Sequence, residues 1–338
     1  AEKRVPQDGR FKLRVPGKTI DFRVSIMPSV HGEDVVIRIL DKESISEQFS
    51  ELRLDILGFP ESELKRFRKY IAEPYGMVLV TGPTGSGKTT TLYAGLSQIN
   101  DIQRKIITIE DPIEYQLHGI NQIQVSRKAG LTFASGLRSI LRHDPDVVLV
   151  GEIRDVETAE IAIQASLTGH LVLSTLHTND APTALTRLVD MGIEPYLVAS
   201  SLEAVIAQRL VRTICPECKE ELPEQEVAPL RRRFGDRLPA VLYKGRGCRN
   251  CQGTGYRGRM GIFEMMVVTD DVRSLILDNA SPRDRRMASA KQGMTSLRDD
   301  GFRHLHVGRT TVEEILRVTK DDMFEPMDTA DTSQERQE

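Results

Sequence analysis

Between Met77 and about Arg209 the chain alternates short apolar runs with amphipathic stretches. The runs Met77–Val80, Ile106–Ile109, Val147–Val150 and Leu171–Leu176 are too short for helices and rich in Val and Ile, which predicts buried strands. Helical spacing predicts helices over about Gly87–Ile99, Ala134–Arg142, Val156–Leu167 and Ala181–Leu188. Strands joined by crossover helices form a mostly parallel sheet covered on both faces, so the fold class is α/β. Ligands of such sheets bind beyond the carboxyl ends of the strands, which directs attention to the polar residues there.

The flanks read differently. Phe11–Val15 and Ile20–Val24 alternate apolar and polar about a turn at Gly17, and Val35–Leu40 reads as a more buried third strand. This gives a partial β-rich domain over 1–48, ahead of a core over 49–212 that opens with a helix near Leu64–Ile71. Residues 213–265 form a charged, cysteine-bounded and then glycine-rich insertion. Residues 266–319 carry Val272, Leu275, Ile276, Val312, Ile315 and Leu316 at helical spacing, a small helical bundle. The polar, acidic tail 320–338 has no periodicity and is expected to be disordered.

Composition narrows the partners. A net charge of −3 with both signs well mixed, 5% aromatics and no Trp argue against a nucleic-acid surface. No apolar run approaches the ~20 residues that a membrane span needs, and no signal peptide is evident. The start at Ala1, directly in strand-like sequence, leads us to expect a fragment of a longer protein. Four cysteines at metal-ligand spacing fit a reducing, cytoplasmic setting.

The first chemical signal follows Met77–Val80. Gly82-Pro83-Thr84-Gly85-Ser86-Gly87-Lys88-Thr89, with Thr90 next, fits the phosphate-binding loop. Its glycines let backbone N–H groups approach a polyphosphate, and the helix that follows points its positive end at the same anion. Lys88 places a charge on the β/γ-phosphates, and Thr89 offers a hydroxyl to Mg²⁺. Glu110 and Glu152 each follow an apolar strand. We assign Glu152 to hydrated Mg²⁺ and Glu110 to the attacking water, and the reverse division stays open. Gly151 stands where such strands usually carry an Asp. His177, just past Leu171–Leu176, is placed to donate to the γ-phosphate; His170 lies at the other end and reads as structural.

Arg138 and Arg142, one turn apart, share a helix face. At ~6 Å two such charges repel by about 3 kcal/mol at an effective dielectric near 20, so they need solvent or an anion. Arg23 and Arg38 interrupt apolar strands and carry the same ambiguity. Cys215-x-x-Cys218 and Cys248-x-x-Cys251 form a tetrahedral Zn²⁺ site whose four positions are all filled by protein, hence structural. Binding worth about 10–16 kcal/mol is ample to hold an insertion with little core.

Together these pieces resemble the secretion ATPases of bacterial type II secretion and type IV pilus assembly. GPTGSGKTTT, ITIEDPIEYQL, LRSILRHDPDVVLVGEIRD and TGHLVLSTLHTNDA occur in that family's order, and the resemblance runs from about Arg4 to Thr319. Pilus retraction ATPases share these boxes but lack the tetracysteine insertion, so the resemblance is to the assembly and secretion branch. It implies a RecA-like core that hydrolyses ATP within a homo-hexameric ring. Arg23 and Arg38 of an adjacent amino-terminal domain, with Arg138, Arg142 and Arg209, would then face nucleotide phosphates. It further implies work against an inner-membrane platform protein, docking to a second membrane protein through a region mostly absent here, and a peripheral place at that membrane. A ring-shaped nucleic-acid translocase and a nucleotide-gated, non-hydrolytic scaffold are the other readings.

Overall fold

The computed structural model describes residues 2–15, 18–40 and 53–319; the expected turn at Gly17 and the tail 320–338 lie outside them. The described residues form two compact units, one up to Leu210 together with Met260–Ser296, the other Val211–Arg259 together with those from Leu297 on.

The first unit opens with an antiparallel sheet of β1 (Gln7–Val15), β2 (Lys18–Ser29) and β3 (Gly32–Leu40), in that order. Strict alternation puts Phe11, Phe22 and Ile39 in one register row, with the Phe11 and Phe22 rings stacked at 4.7 Å. β3 was expected to be the more buried strand. It is instead an edge, and Val36, Ile37 and Ile39 are each more than half exposed.

α1 (Glu61–Ala72) leads to β4 (Gly76–Thr81), which passes through the glycine loop into α2 (Lys88–Ile99). There follow β5 (Ile106–Glu110), β6 (Asn121–Gln124), α3 (Phe133–Leu141), β7 (Val147–Val150), α4 (Val156–Leu167) and β8 (Leu171–Leu176). Next come α5 (Ala181–Asp190), α6 (Pro195–Ser201) and β9 (Leu202–Ile214). The seven-stranded sheet is ordered β12-β9-β4-β8-β7-β5-β6, where β12 is Tyr256–Val267, and the pairings from β9 across to β6 are parallel. β4, β5, β7 and β8 are buried along their whole length, as near-continuous Val/Ile/Leu runs require of a sheet covered on both faces. Asp155 and Asp180 accept hydrogen bonds from the N–H groups of Thr158 and Thr183, both at 2.8 Å, and so fix where α4 and α5 begin.

The second unit contains β10 (Lys219–Glu221), α7 (Glu224–Phe234), β11 (Tyr243–Gly245), α10 (Leu297–His306) and α11 (Val312–Val318). Val227, Leu238 and Leu242 pack there with Phe302, Leu305, Val312 and Ile315. The bundle expected over 266–319 is thus divided. α8 (Asp270–Leu277) and α9 (Pro282–Lys291) belong to the first unit, where Phe263 and Met265 of β12 enter the main core. Among the described residues no helix is long and apolar enough to cross a membrane.

Candidate functional site

The glycine loop closes on β9. A Cβ on Gly82 (φ +149°) would lie 2.5 Å from the Gln208 carbonyl oxygen and 2.6 Å from Ser86 Oγ, so only glycine lets the loop lie this close. Gln208 also accepts a 2.8 Å hydrogen bond from Thr91 Oγ1, which ties the floor of the loop to α2. Gln208 carried no sequence signal, because its role depends on β9 lying beside β4. Lys88 Nζ donates to the Gly82 and Pro83 carbonyls at 2.8 and 3.0 Å, within the loop's own curve. Burial pulls Lys88 down to about 8; the Glu152 carboxylate opposes this and Arg209 adds to it. Ser86 Oγ is buried without a hydrogen-bond partner, a polar group left for a ligand in a loop otherwise satisfied. Thr84, Gly85 and Thr89 are exposed on the rim, and Thr90 is half-buried.

Arg209 lies against this loop, its Nη1 3.2 Å from the position of a Gly82 Cβ. Its guanidinium is 9% exposed and donates to the Gln208 carbonyl (3.1 Å) and to Asn179 O and Oδ1 (2.8 and 3.2 Å). Burial lowers its pKa, with Asp180 and Glu264 acting against the shift. A cation enclosed among carbonyl dipoles still attracts an anion.

The predicted acids and histidine stand on neighbouring strand tips. With β8, β7 and β5 successively further from β4, His177 lies nearest the loop, Glu152 next and Glu110 furthest. At 4.7–4.9 Å per strand, the β5 tip is about 14 Å from β4 and the β7 tip about 10 Å. Glu152 pairs with His177 Nε2 at 3.3 Å and with Arg154 at 2.5 Å; both partners are half-exposed. Glu110 is 4% exposed and accepts hydrogen bonds from Tyr93, from Thr108 Oγ1 (2.5 Å) and from Gln122 Nε2 (3.2 Å). Burial, reinforced by the Glu110 charge, pushes the Tyr93 and Tyr115 phenols upward. A Cβ on Gly151 would come within 3.3 Å of Glu110 Cα, so the missing Asp reflects the close approach of the β5 and β7 tips. Thr81 and Thr178, unremarkable in sequence, join the end of β4 to the segment after β8 through a 2.6 Å hydroxyl contact. His170 meets the Ala165 carbonyl at 3.0 Å, the structural place expected of it.

The remaining arginines do not converge on this loop. Arg142 follows the last turn of α3, on the way back to the amino end of β7, whereas Arg138 reaches Glu157 in the first turn of α4, which starts beyond the carboxyl end of β7. The repulsion expected between them is answered locally: Arg138 pairs with Glu157 at 2.8 Å, and Arg142 donates to the Arg138 carbonyl (3.1 Å) and Ser139 Oγ (3.0 Å). Arg23 and Arg38 are register partners, and Arg10 completes the row across the small sheet. Like charges directly opposite destabilise a strand pair, so this row suits an anion better than it suits the sheet.

In the second unit the four cysteine Sγ atoms lie within 4.8 Å of one another. The pairs Cys215–Cys248, Cys218–Cys251 and Cys248–Cys251 are 3.8, 3.8 and 3.6 Å apart. A tetrahedron of 2.3 Å metal–sulfur bonds has edges of about 3.8 Å, so the donors fit a Zn²⁺ ion. The N–H groups of Gly247, Cys248 and Gly255 point at Cys218 and Cys251 sulfurs (3.1–3.3 Å), which favours thiolates. Gly255, after the second pair, has a steric cause: a Cβ there would lie 2.4 Å from the Gly245 carbonyl oxygen.

A buried lysine inside a glycine turn at the carboxyl edge of a parallel sheet, faced by polar groups from the next strands, defines a RecA-like P-loop nucleotide-binding protein. Its family follows from comparison: residues 1–317 match the family described as type II/IV secretion system protein, and the chain belongs to that family. It is 55% identical over 322 residues to a type II secretion system protein E of Pseudomonas aeruginosa, and 54% over 324 to the type II secretion system ATPase E of Vibrio cholerae. Each comparison covers 95% of this chain and 63% of the relative. A type IV pilus assembly ATPase PilB of Myxococcus xanthus is 49% identical over 330 residues, covering 96% of this chain and 57% of that one. The chain thus spans less than two thirds of the length of these relatives. Among solved structures, the pilus retraction motor PilT with bound ADP is similar with a TM-score of 0.66 and 28% identity, covering 94% of this chain and 79% of that one.

Proposed function

We propose that this chain hydrolyses ATP as part of a hexameric motor of type II secretion or type IV pilus assembly. The observation that carries the reading is the buried Lys88 in the glycine loop, with Glu152 and His177 on adjacent strand tips. The loop N–H groups and Lys88 bind the β- and γ-phosphates. Thr89 would hold Mg²⁺, whose chemistry is to neutralise charge on the phosphate oxygens. Burial of Glu110 among three donors, and its greater distance from β4, support giving the attacking water to Glu152 in place of Glu110. Glu152 is then the carboxylate that orients water and accepts its proton, as that oxygen bonds to the γ-phosphorus and ADP departs with the electrons of the broken P–O bond. Glu110 becomes a positioning residue that fixes α2 through Tyr93. His177, held by Glu152, donates to the γ-phosphate.

Arg138 and Arg142, together with the Arg23–Arg38 pair, then serve nucleotide in a neighbouring subunit. Turnover rotates domains against an inner-membrane platform protein. The family and the relatives' names support the secretion or pilus-assembly part of this reading. The test is Lys88→Ala, expected to abolish nucleotide binding and turnover. Mixing that chain with an Arg138→Ala, Arg142→Ala chain should restore part of the activity through shared sites. Full activity of Lys88→Ala alone would end the reading.

A further inference from the structure

Beside the Glu152–His177 pair lies a cavity of about 410 Å³, walled by the segments after β7 and β8 and by α5. Its walls carry hydrogen-bond donors from several directions. Arg154, paired with Glu152, and His177 line the side nearest the strand tips. Asn179 lines it as well, and since Asn179 Oδ1 accepts from Arg209, its amide N–H groups remain as donors. Arg187 of α5 is exposed in the opposite wall and makes no ion pair or side-chain hydrogen bond among the described residues.

Behind this wall stands a group the hydrolytic chemistry does not use. Arg285 of α9 is 1% exposed, its Nε has no partner, and its Nη1 donates to Thr186 Oγ1 at 2.9 Å. The Thr186 oxygen is therefore occupied as an acceptor, and its O–H is free to donate into the cavity it lines. Burial outweighs the help that the neighbouring Asp284 carboxylate gives this guanidinium, and an anion across Thr186 would add to that help. The one carboxylate on the far wall is Asp190, and Glu152 is already engaged by two cations. Ile153 and Leu176 are the apolar lining, and the lining holds no Phe, Tyr or Trp to stack on a base. The donors suit a small, multiply charged oxyanion and not a nucleoside.

We propose that this cavity is a staging site for inorganic phosphate, which receives the cleaved γ-phosphate past Glu152 and His177 before release. This rests on the nucleotide reading of the glycine loop. Removing Arg187 deletes a direct donor without touching the loop, and its exposure keeps the fold out of question. The test is equilibrium binding of radiolabelled inorganic phosphate to the full chain, with and without saturating ADP, for wild type and Arg187→Gln. Phosphate affinity should fall about tenfold, equivalent to ~1.4 kcal/mol, with ADP affinity unchanged. Equal phosphate affinity in the two proteins, or no phosphate binding to wild type in the millimolar range, overturns the proposal. So does a matching loss of ADP affinity, which would make the cavity part of the nucleotide site. If wild type binds no ADP, the nucleotide reading fails by itself, and the nucleotide-free comparison still decides whether Arg187 holds phosphate.

Discussion

The two glutamates can be separated because they sit in different surroundings. In Glu110→Gln one acceptor oxygen becomes an N–H₂ group facing either the Tyr93 hydroxyl, which donates to Oε2, or the Thr108 hydroxyl, which donates to Oε1, inside a site that is 4% exposed. Losing one charge-assisted hydrogen bond there should cost about 2 kcal/mol. For a unit of this size that lowers the melting temperature by about 4–8 °C. Turnover should change by less than tenfold, because this carboxylate is already engaged by three donors. Glu152→Gln breaks pairs whose partners are half-exposed, which should cost no more than about 1 kcal/mol. Its turnover should fall by about 10²–10⁴, the range for loss of a general base, while ATP still binds. The assay is steady-state ATP hydrolysis beside thermal melts and binding of fluorescent ATP. An inactive Glu110→Gln with an unchanged melt, next to a normally active Glu152→Gln, would refute the argument from burial and strand order.

The depressed Lys88 predicts a proton linked to nucleotide binding. Bound polyphosphate favours the charged amine, so the folded pKa rises from about 8 on binding. Half a unit above that value the free lysine is about three-quarters deprotonated, so binding at about pH 8.5 should take up roughly 0.75 proton, and affinity should weaken as pH rises above 8. Titration calorimetry in two buffers of different ionisation enthalpy measures the uptake, and none at all would place the lysine outside the phosphate site. Elemental analysis should find about one zinc per chain, in line with four thiolates at tetrahedral spacing. Cys251→Ser or strong chelation should unfold the second unit, making Val211–Arg259 sensitive to proteolysis. A metal-free chain with the same protection would show that its apolar packing suffices.

The glycine loop, the four cysteines and the strand-terminal acids were legible because each depends on local spacing. A turn needs glycine where it bends, and a tetrahedral ion needs two C-x-x-C knuckles. Apolar runs likewise announced β4, β5, β7 and β8 with nearly their observed bounds, since strands buried on both faces leave little room for polar residues. Strand order has no such local mark. Whether β7 or β5 lies nearer β4 is set by how the crossovers pack, and that order, with the cage around Glu110, is what separated the two carboxylates. The same holds for Gln208 under the loop, for Arg285 behind Thr186, and for the division of 266–319 between two units. Each is a contact between segments far apart in the chain, fixed by the packing free energy of the whole core and not by the residues on either side.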